Sequence, residues 1–110
     1  MDIQNAIAGL QALSQETRLN VFRLLMRAGK DGLAAGDIAQ TLDVRQNTMS
    51  SHLSTLAAAG LIAADRDGRI IRYRVNLAGI QGLIGFLIED CCGGNPAQCQ
   101  PLIAEISCPS

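Results

Sequence analysis

The chain has 110 residues, 48% of them hydrophobic, with 9 lysines and arginines against 10 aspartates and glutamates for a net charge of −1. That length allows one domain with a modest core, small enough for a partner subunit to help bury surface. No apolar stretch nears the roughly 20 residues that a bilayer demands, and the start MDIQNAIAGLQAL lacks the basic and apolar segments of a secretion signal, so a soluble, cytoplasmic protein without a membrane partner is expected.

In chain order, Ile3, Ala6, Ile7 and Leu10 recur at three and four, which predicts a short first helix with one apolar stripe. Ser14 can cap a second, QETRLNVFRLLMRAG, whose Leu19, Phe22, Leu25 and Met26 face a core and whose Gly29 is the stop. AGDIAQTLDV predicts a short third helix with Ile38 and Leu42 inward. A few residues later RQNTMSSHLSTLAAAG predicts a fourth, ending at Gly60. Two helices joined by so short a turn make a helix-turn-helix, whose second member can lie in a DNA major groove. LIAADRDGRIIRYRV then reads as a β-hairpin with a type I′ turn at Asp67-Gly68 and with Ile71, Tyr73 and Val75 alternating on one side of the return strand. A hairpin in that position is a wing. LAGIQGLIGFLIED offers Ile80, Leu83, Ile84 and Leu87 at helical spacing for a last helix. The expected fold class is mainly α with a β-hairpin wing, a winged helix-turn-helix over residues 1–90. A cysteine-containing tail over 91–110 follows.

The fourth helix carries the first candidate site. Met49, Leu53 and Leu56 are spaced to pack inward, leaving Gln46, Asn47, Thr48, Ser50, Ser51 and His52 on its N-terminal half. Short polar side chains there suit base edges and phosphates, although an ordinary solvated face has the same pattern. Arg66 and Arg69 bracket the wing tip, within reach of the phosphate backbone or the neighbouring minor groove. From Arg45 to Arg74 five arginines face two aspartates, a local charge of +3, whereas after Val75 only Glu89, Asp90 and Glu105 are charged, a local −3. A basic middle and an acidic tail imply different jobs.

The stretch NTMSSHLSTLAAAGLIAADRDGRIIRYRV resembles the ArsR/SmtB family of winged-helix metalloregulatory repressors. The family's serine-x-histidine-leucine core stands here as Ser50-Ser51-His52-Leu53, followed by Ala59-Gly60-Leu61 and a glycine-tipped wing ending at Tyr73. The resemblance runs over about residues 10 to 88. It implies a homodimer built from the first and last helices, seated on an inverted-repeat operator and released from that DNA by a toxic metal or metalloid. Two sensing sites known in the family are missing: GDIAQTLDV holds no cysteine and NLAGIQGLIGFLIED no histidine. His52, the sole histidine, lies inside the recognition motif, which favours packing or DNA contact over metal ligation.

Sensing is therefore sought in the tail, where all four cysteines lie: Cys91, Cys92, Cys99 and Cys108. A disulfide between adjacent cysteines is strained, but both sulfurs can grip one soft atom, and Gly93, Gly94 and Pro96 supply a turn that can bring Cys99 back over the pair. Thiols suit arsenic(III), antimony(III), cadmium, copper(I), or zinc with a fourth ligand such as Cys108. The pair follows Glu89 and Asp90 at the expected carboxyl end of the last helix, where thiolates are disfavoured. A four-thiolate zinc or cadmium site carries a formal −2, whereas arsenous hydroxide condenses with three thiols, losing water, to a neutral adduct. Arsenic(III) or antimony(III) on Cys91, Cys92 and Cys99 is thus the favoured inducer, with no organic cofactor. Some arsenic-responsive members of the family carry a similar cysteine pair and a third cysteine. A thiol-redox or a cadmium- or zinc-responsive repressor remains open, as does an interaction module that never binds DNA. The acidic neighbours and the distant histidine argue against an enzyme. Gly79, Gly82 and Gly85 each cost the last helix about 0.5–1 kcal/mol relative to alanine and are read as close helix approach in a dimer.

Overall fold

The computed structural model describes residues 1–89, which form five α-helices and a three-stranded antiparallel sheet. Helix α1 spans Ile3–Leu13, started by Asp2, whose carboxylate accepts the Asn5 N–H at 2.8 Å. Helix α2, Glu16–Ala28, is capped by the Gln15 side chain, which accepts the Arg18 N–H at 2.8 Å, and not by Ser14. Ser14 instead closes α1, its hydroxyl donating to the Gln11 carbonyl. Gly29, at φ +71°, stops α2 as expected, because an L side chain is disfavoured at that angle.

A second positive-φ glycine, Gly32, leads into strand β1, Leu33–Ala34, which the sequence reading did not anticipate. A Cβ at Gly32 would run into the Tyr73 carbonyl, so only glycine lets the chain pass this close to the wing. Helix α3, Ala35–Leu42, and helix α4, Gln46–Ala58, are joined by residues 43–45, with Asp43 in the left-handed region at φ 56° closing α3. Strands β2, Ile62–Asp67, and β3, Ile70–Val75, form the wing, and β1 pairs with the outer edge of β3 to give the order β1-β3-β2. Helix α5 runs over Leu77–Ile88.

The wing turns one residue later than expected. Asp67 pairs with Ile70, so Gly68 and Arg69 are the central residues, and positive φ falls on Gly68 alone, the pattern of a type II′ turn. Centring the turn on Asp67-Gly68 would set Arg66 opposite Arg69. The observed register sets Arg66 opposite Ile71 and Asp65 opposite Arg72, which avoids a like-charge pair.

The core is Val21, Phe22 and Leu25 of α2, Ile38 and Ala39 of α3, Met49, Leu53 and Leu56 of α4, then Leu61, Ile62 and Leu83. Leu42, Tyr73, Val75, Ile80 and Phe86 pack against it half-buried. Leu19 and Met26, expected inward, are 42% and 45% exposed, because the buried stripe of α2 passes through Val21 instead. A larger difference lies in α1. It buries Ala6, Gly9 and Ala12, leaving Ile3, Ile7 and Leu10 exposed. Small residues let α1 lie close to α5: a Cβ on Gly9 would stand 3.3 Å from Leu83 Cδ2. On α5, Leu83 is buried, whereas Leu77, Ile84 and Leu87 are exposed.

The three glycines of α5 do different things. A Cβ on Gly79 would collide with the Gly60 carbonyl, so this glycine serves a contact inside the chain. Asn76 strengthens the same junction by donating its side-chain amide to that carbonyl at 2.9 Å. Gly82 approaches only the Met1 side chain, and around Gly85 there is open space among the described residues.

Candidate DNA-binding surface

Helix α4 is held from one side only. Met49, Leu53 and Leu56 are 0–1% exposed, and fully burying each such side chain contributes about 1.5–3 kcal/mol. The spacing of four then three between these anchors fixes the rotation of the helix and leaves Gln46, Asn47, Thr48, Ser50 and Ser51 exposed. Five of the six polar residues are thus open along the amino-terminal half of α4.

Local bonds select which polar atoms of α4 are free. Asn47 uses its side-chain oxygen to accept the Thr48 N–H at 2.9 Å, which leaves its amide donors without a partner among the described residues. Gln46 lies beside Gly36 of α3, where a Cβ would come within 3.2 Å of the Gln46 amide nitrogen. The Thr55 hydroxyl donates back to the Ser51 carbonyl at 3.1 Å and is spent inside the helix. Arg45 precedes the first turn without a side-chain cap, so the amino end of α4 joins a positive charge to the N–H groups of Gln46 and Asn47, which have no partner among the described residues, a favourable pole for phosphate.

His52 differs from the others. It is half-buried, and its Nδ1 stands 3.4 Å from Nη1 of Arg18, on α2. Arg18 in turn donates from Nε to the Ala12 carbonyl at 2.8 Å and from Nη2 to the Gln11 carbonyl at 3.5 Å. One guanidinium thus joins the end of α1, the start of α2 and the recognition helix. Nothing in the sequence pattern marks Arg18. Periodicity marks apolar positions, and nothing local links Arg18 to a histidine 34 residues away.

On the wing, Arg66 and Arg69 are exposed, with Arg69 at the turn itself. Arg74 forms an ion pair with Asp65, the only one among the described residues, and with side chains 39% and 60% exposed it adds little stability. The pair does, however, neutralise one of the five arginines of the basic segment. Arg45, Arg66, Arg69 and Arg72 remain without an acidic partner among the described residues.

The other candidate site, Cys91, Cys92 and Cys99, lies outside the described residues, as does Cys108. Among the described residues no group of three or more histidine, cysteine, aspartate or glutamate side chains is placed to hold a metal ion. No helix among them is long and apolar enough to cross a membrane.

Comparison with known proteins bears on the fold that carries this surface. A helix-turn-helix domain family matches residues 13–63, which hold α2, α3 and α4. A Halobacterium salinarum protein named ArsR, for repression of an arsenical resistance operon, is 36% identical over 70 residues. The match covers 64% of this chain and 54% of that protein, so the chain spans about half the length of this relative. The transcriptional repressor SdpR of Bacillus subtilis is 33% identical over 79 residues, 72% of this chain and 84% of the relative. Among solved structures, an ArsR-like transcriptional regulator from Rhodococcus sp. RHA1 superposes with a TM-score of 0.69 at 28% identity, covering 94% of this chain and 93% of that one.

Proposed function

The chain belongs to the ArsR/SmtB family of winged helix-turn-helix transcriptional regulators, and from that membership we propose that it is a homodimeric repressor, released from its operator when arsenic(III) or antimony(III) binds Cys91, Cys92 and Cys99. Such proteins are regulators and not enzymes. The observation that carries the DNA-binding half is the exposed polar face of α4, fixed by three buried anchors, beside a wing with arginines at its tip. Phosphate contacts by Arg66 and Arg69 supply affinity, while Gln46, Asn47, Thr48, Ser50, Ser51 and His52 read base edges. The work is cytoplasmic, and the operator is an inverted repeat matched to a two-fold dimer.

Donor chemistry supports the inducer half. The described residues contain no cysteine and no metal-ligand cluster, so the soft donors are those of the tail, residues 91–110, treated as a sensing segment appended to the domain of residues 1–90. Helix α5 ends at Ile88 with Glu89 as its carboxyl cap, two residues before Cys91. The negative pole of that helix and the acidic Glu89 and Asp90 disfavour thiolates and favour a neutral three-sulfur adduct. Inducer capture beside α5 acts on the helix proposed to pair the subunits. Coupling of about 1–3 kcal/mol, roughly 5–150-fold in affinity, is the usual scale of such effects.

The test is titration of the operator complex with arsenite, antimonite, cadmium, zinc and peroxide. Wild type is expected to release DNA with arsenite or antimonite, and the Cys91→Ser/Cys92→Ser double variant to bind DNA normally and ignore both. Release of that variant by arsenite as before removes the cysteine site from consideration. Release of wild type by peroxide alone identifies a redox switch instead.

A further inference from the structure

We propose that Arg18 is a positioning residue for DNA recognition: it holds the His52 ring with Nδ1 as acceptor, so that the recognition helix presents Nε2–H as a fixed donor to a hydrogen-bond acceptor on the operator. The inference rests on the DNA-binding reading and adds to it a residue outside the helix-turn-helix pair and a donor of defined polarity.

Chemistry sets the direction of the Arg18–His52 contact. A guanidinium has five N–H donors and no acceptor, so a hydrogen bond between Arg18 Nη1 and His52 Nδ1, 3.4 Å apart, requires an unprotonated Nδ1. In a neutral imidazole the proton then resides on Nε2. Among the described residues no buried side-chain nitrogen or oxygen lacks a partner and none bonds His52 Nε2, so this half-buried ring leaves Nε2 open to an acceptor outside those residues. It lies one residue after Ser51, on the helix whose polar face is open.

The arginine is itself held. Its Nε bond to the Ala12 carbonyl at 2.8 Å and its longer Nη2 contact to Gln11 anchor the guanidinium on the last turn of α1, where a cation also suits the negative helix pole. Its backbone N–H is bound by the Gln15 cap. With the guanidinium fixed at α1, the ring that accepts from it is fixed too. A free imidazole exchanges its proton between the two nitrogens and so presents either a donor or an acceptor outward. This one is committed, and recognition gains polarity without a further side chain on α4. The fitting acceptors are purine N7, guanine O6 or a phosphate oxygen.

His52 is the only histidine of the chain, so ring-nitrogen NMR of the full-length protein reads it without assignment. In DNA-free protein at about pH 8.5, where an ordinary imidazole is neutral, the spectrum should show protonated Nε2 and a hydrogen-bonded, unprotonated Nδ1. In Arg18→Ala the Nδ1 signal should move to the value of an unbonded ring nitrogen. Affinity is measured on a fragment selected from random DNA by the wild-type chain, with circular dichroism melts to show that each variant folds. Arg18→Ala should weaken binding about three- to tenfold, the scale of one hydrogen bond, and have no further effect in a His52→Ala background. His52→Gln, whose amide reaches as far as Nε2, should retain more affinity than His52→Asn. Seven-deazapurine, 2-aminopurine in place of guanine, and methylphosphonate substitutions then remove purine N7, guanine O6 and a phosphate oxygen in turn: one of them should erase the difference between wild type and His52→Ala. Equal losses from Arg18→Ala in both backgrounds, or an Nδ1 signal that ignores the substitution, overturn the proposal and leave Arg18 a structural cap on α1. Failure of the wild-type chain to select any DNA overturns the regulator reading instead.

Discussion

Arg66 and Arg69 illustrate how a residue's effect depends on what the fold leaves around it. Arg74 lies in the same basic segment but is paired with Asp65, whereas these two stand exposed without a partner among the described residues. Each free arginine that meets a phosphate releases counterions. Arg66→Ala and Arg69→Ala should therefore each weaken operator binding across all sequences and flatten the slope of log affinity against log salt by about 1, measured by fluorescence anisotropy between low and physiological salt. Arg74→Ala should change that slope less. The sequence alone counts five arginines; strand register decides which are available.

The glycines of α5 make the same point for an element. All three look alike in a three-residue repeat, yet a Cβ on Gly79 would enter the space of the Gly60 carbonyl and one on Gly85 would meet nothing. Gly79→Ala should destabilise the fold by about 1–3 kcal/mol, the usual range for overpacking. Gly85→Ala should stabilise it by about 0.5–1 kcal/mol through helix propensity. Urea unfolding of both variants checks this, and a loss at Gly85 would mean that a partner subunit occupies that face. The order of the five helices and the wing was legible because apolar periods and turn residues mark them: the anchors Met49, Leu53 and Leu56 and the stop at Gly29 stand where the pattern places them. Strand β1 was not, because two residues have no period and are held by pairing with Tyr73 and Arg72. The candidate site divides likewise. The exposed residues of α4 follow from helical spacing, while the Arg18–His52 contact depends on how separate helices cross.

For the whole molecule, the informative feature is the apolar surface the fold does not cover. Ile3, Ile7 and Leu10 on α1 and Leu77, Ile84 and Leu87 on α5 are exposed, and the two helices touch each other through Gly9 and Leu83. Spacing in α1 correctly marks an apolar face but cannot say whether the chain or its partner buries it. The resemblance assigns α1 and α5 to a homodimer, and these side chains fit that use. If α1 and α5 pair two copies as proposed, Ile7→Asp and Leu87→Asp should each yield a monomer in sedimentation equilibrium and weaken operator binding at least tenfold, because one recognition helix then engages one half-site. Leu19→Asp, exposed on α2, is the control and should leave association unchanged.

Helix α1 spends alanine and glycine on its own core and turns its isoleucines outward. If the outer row is closed by a second copy, association contributes to the melting equilibrium. The midpoint of thermal denaturation then rises with protein concentration, by mass action, and scarce protein is both unpaired and easily unfolded. At few copies per cell, most chains would then be single.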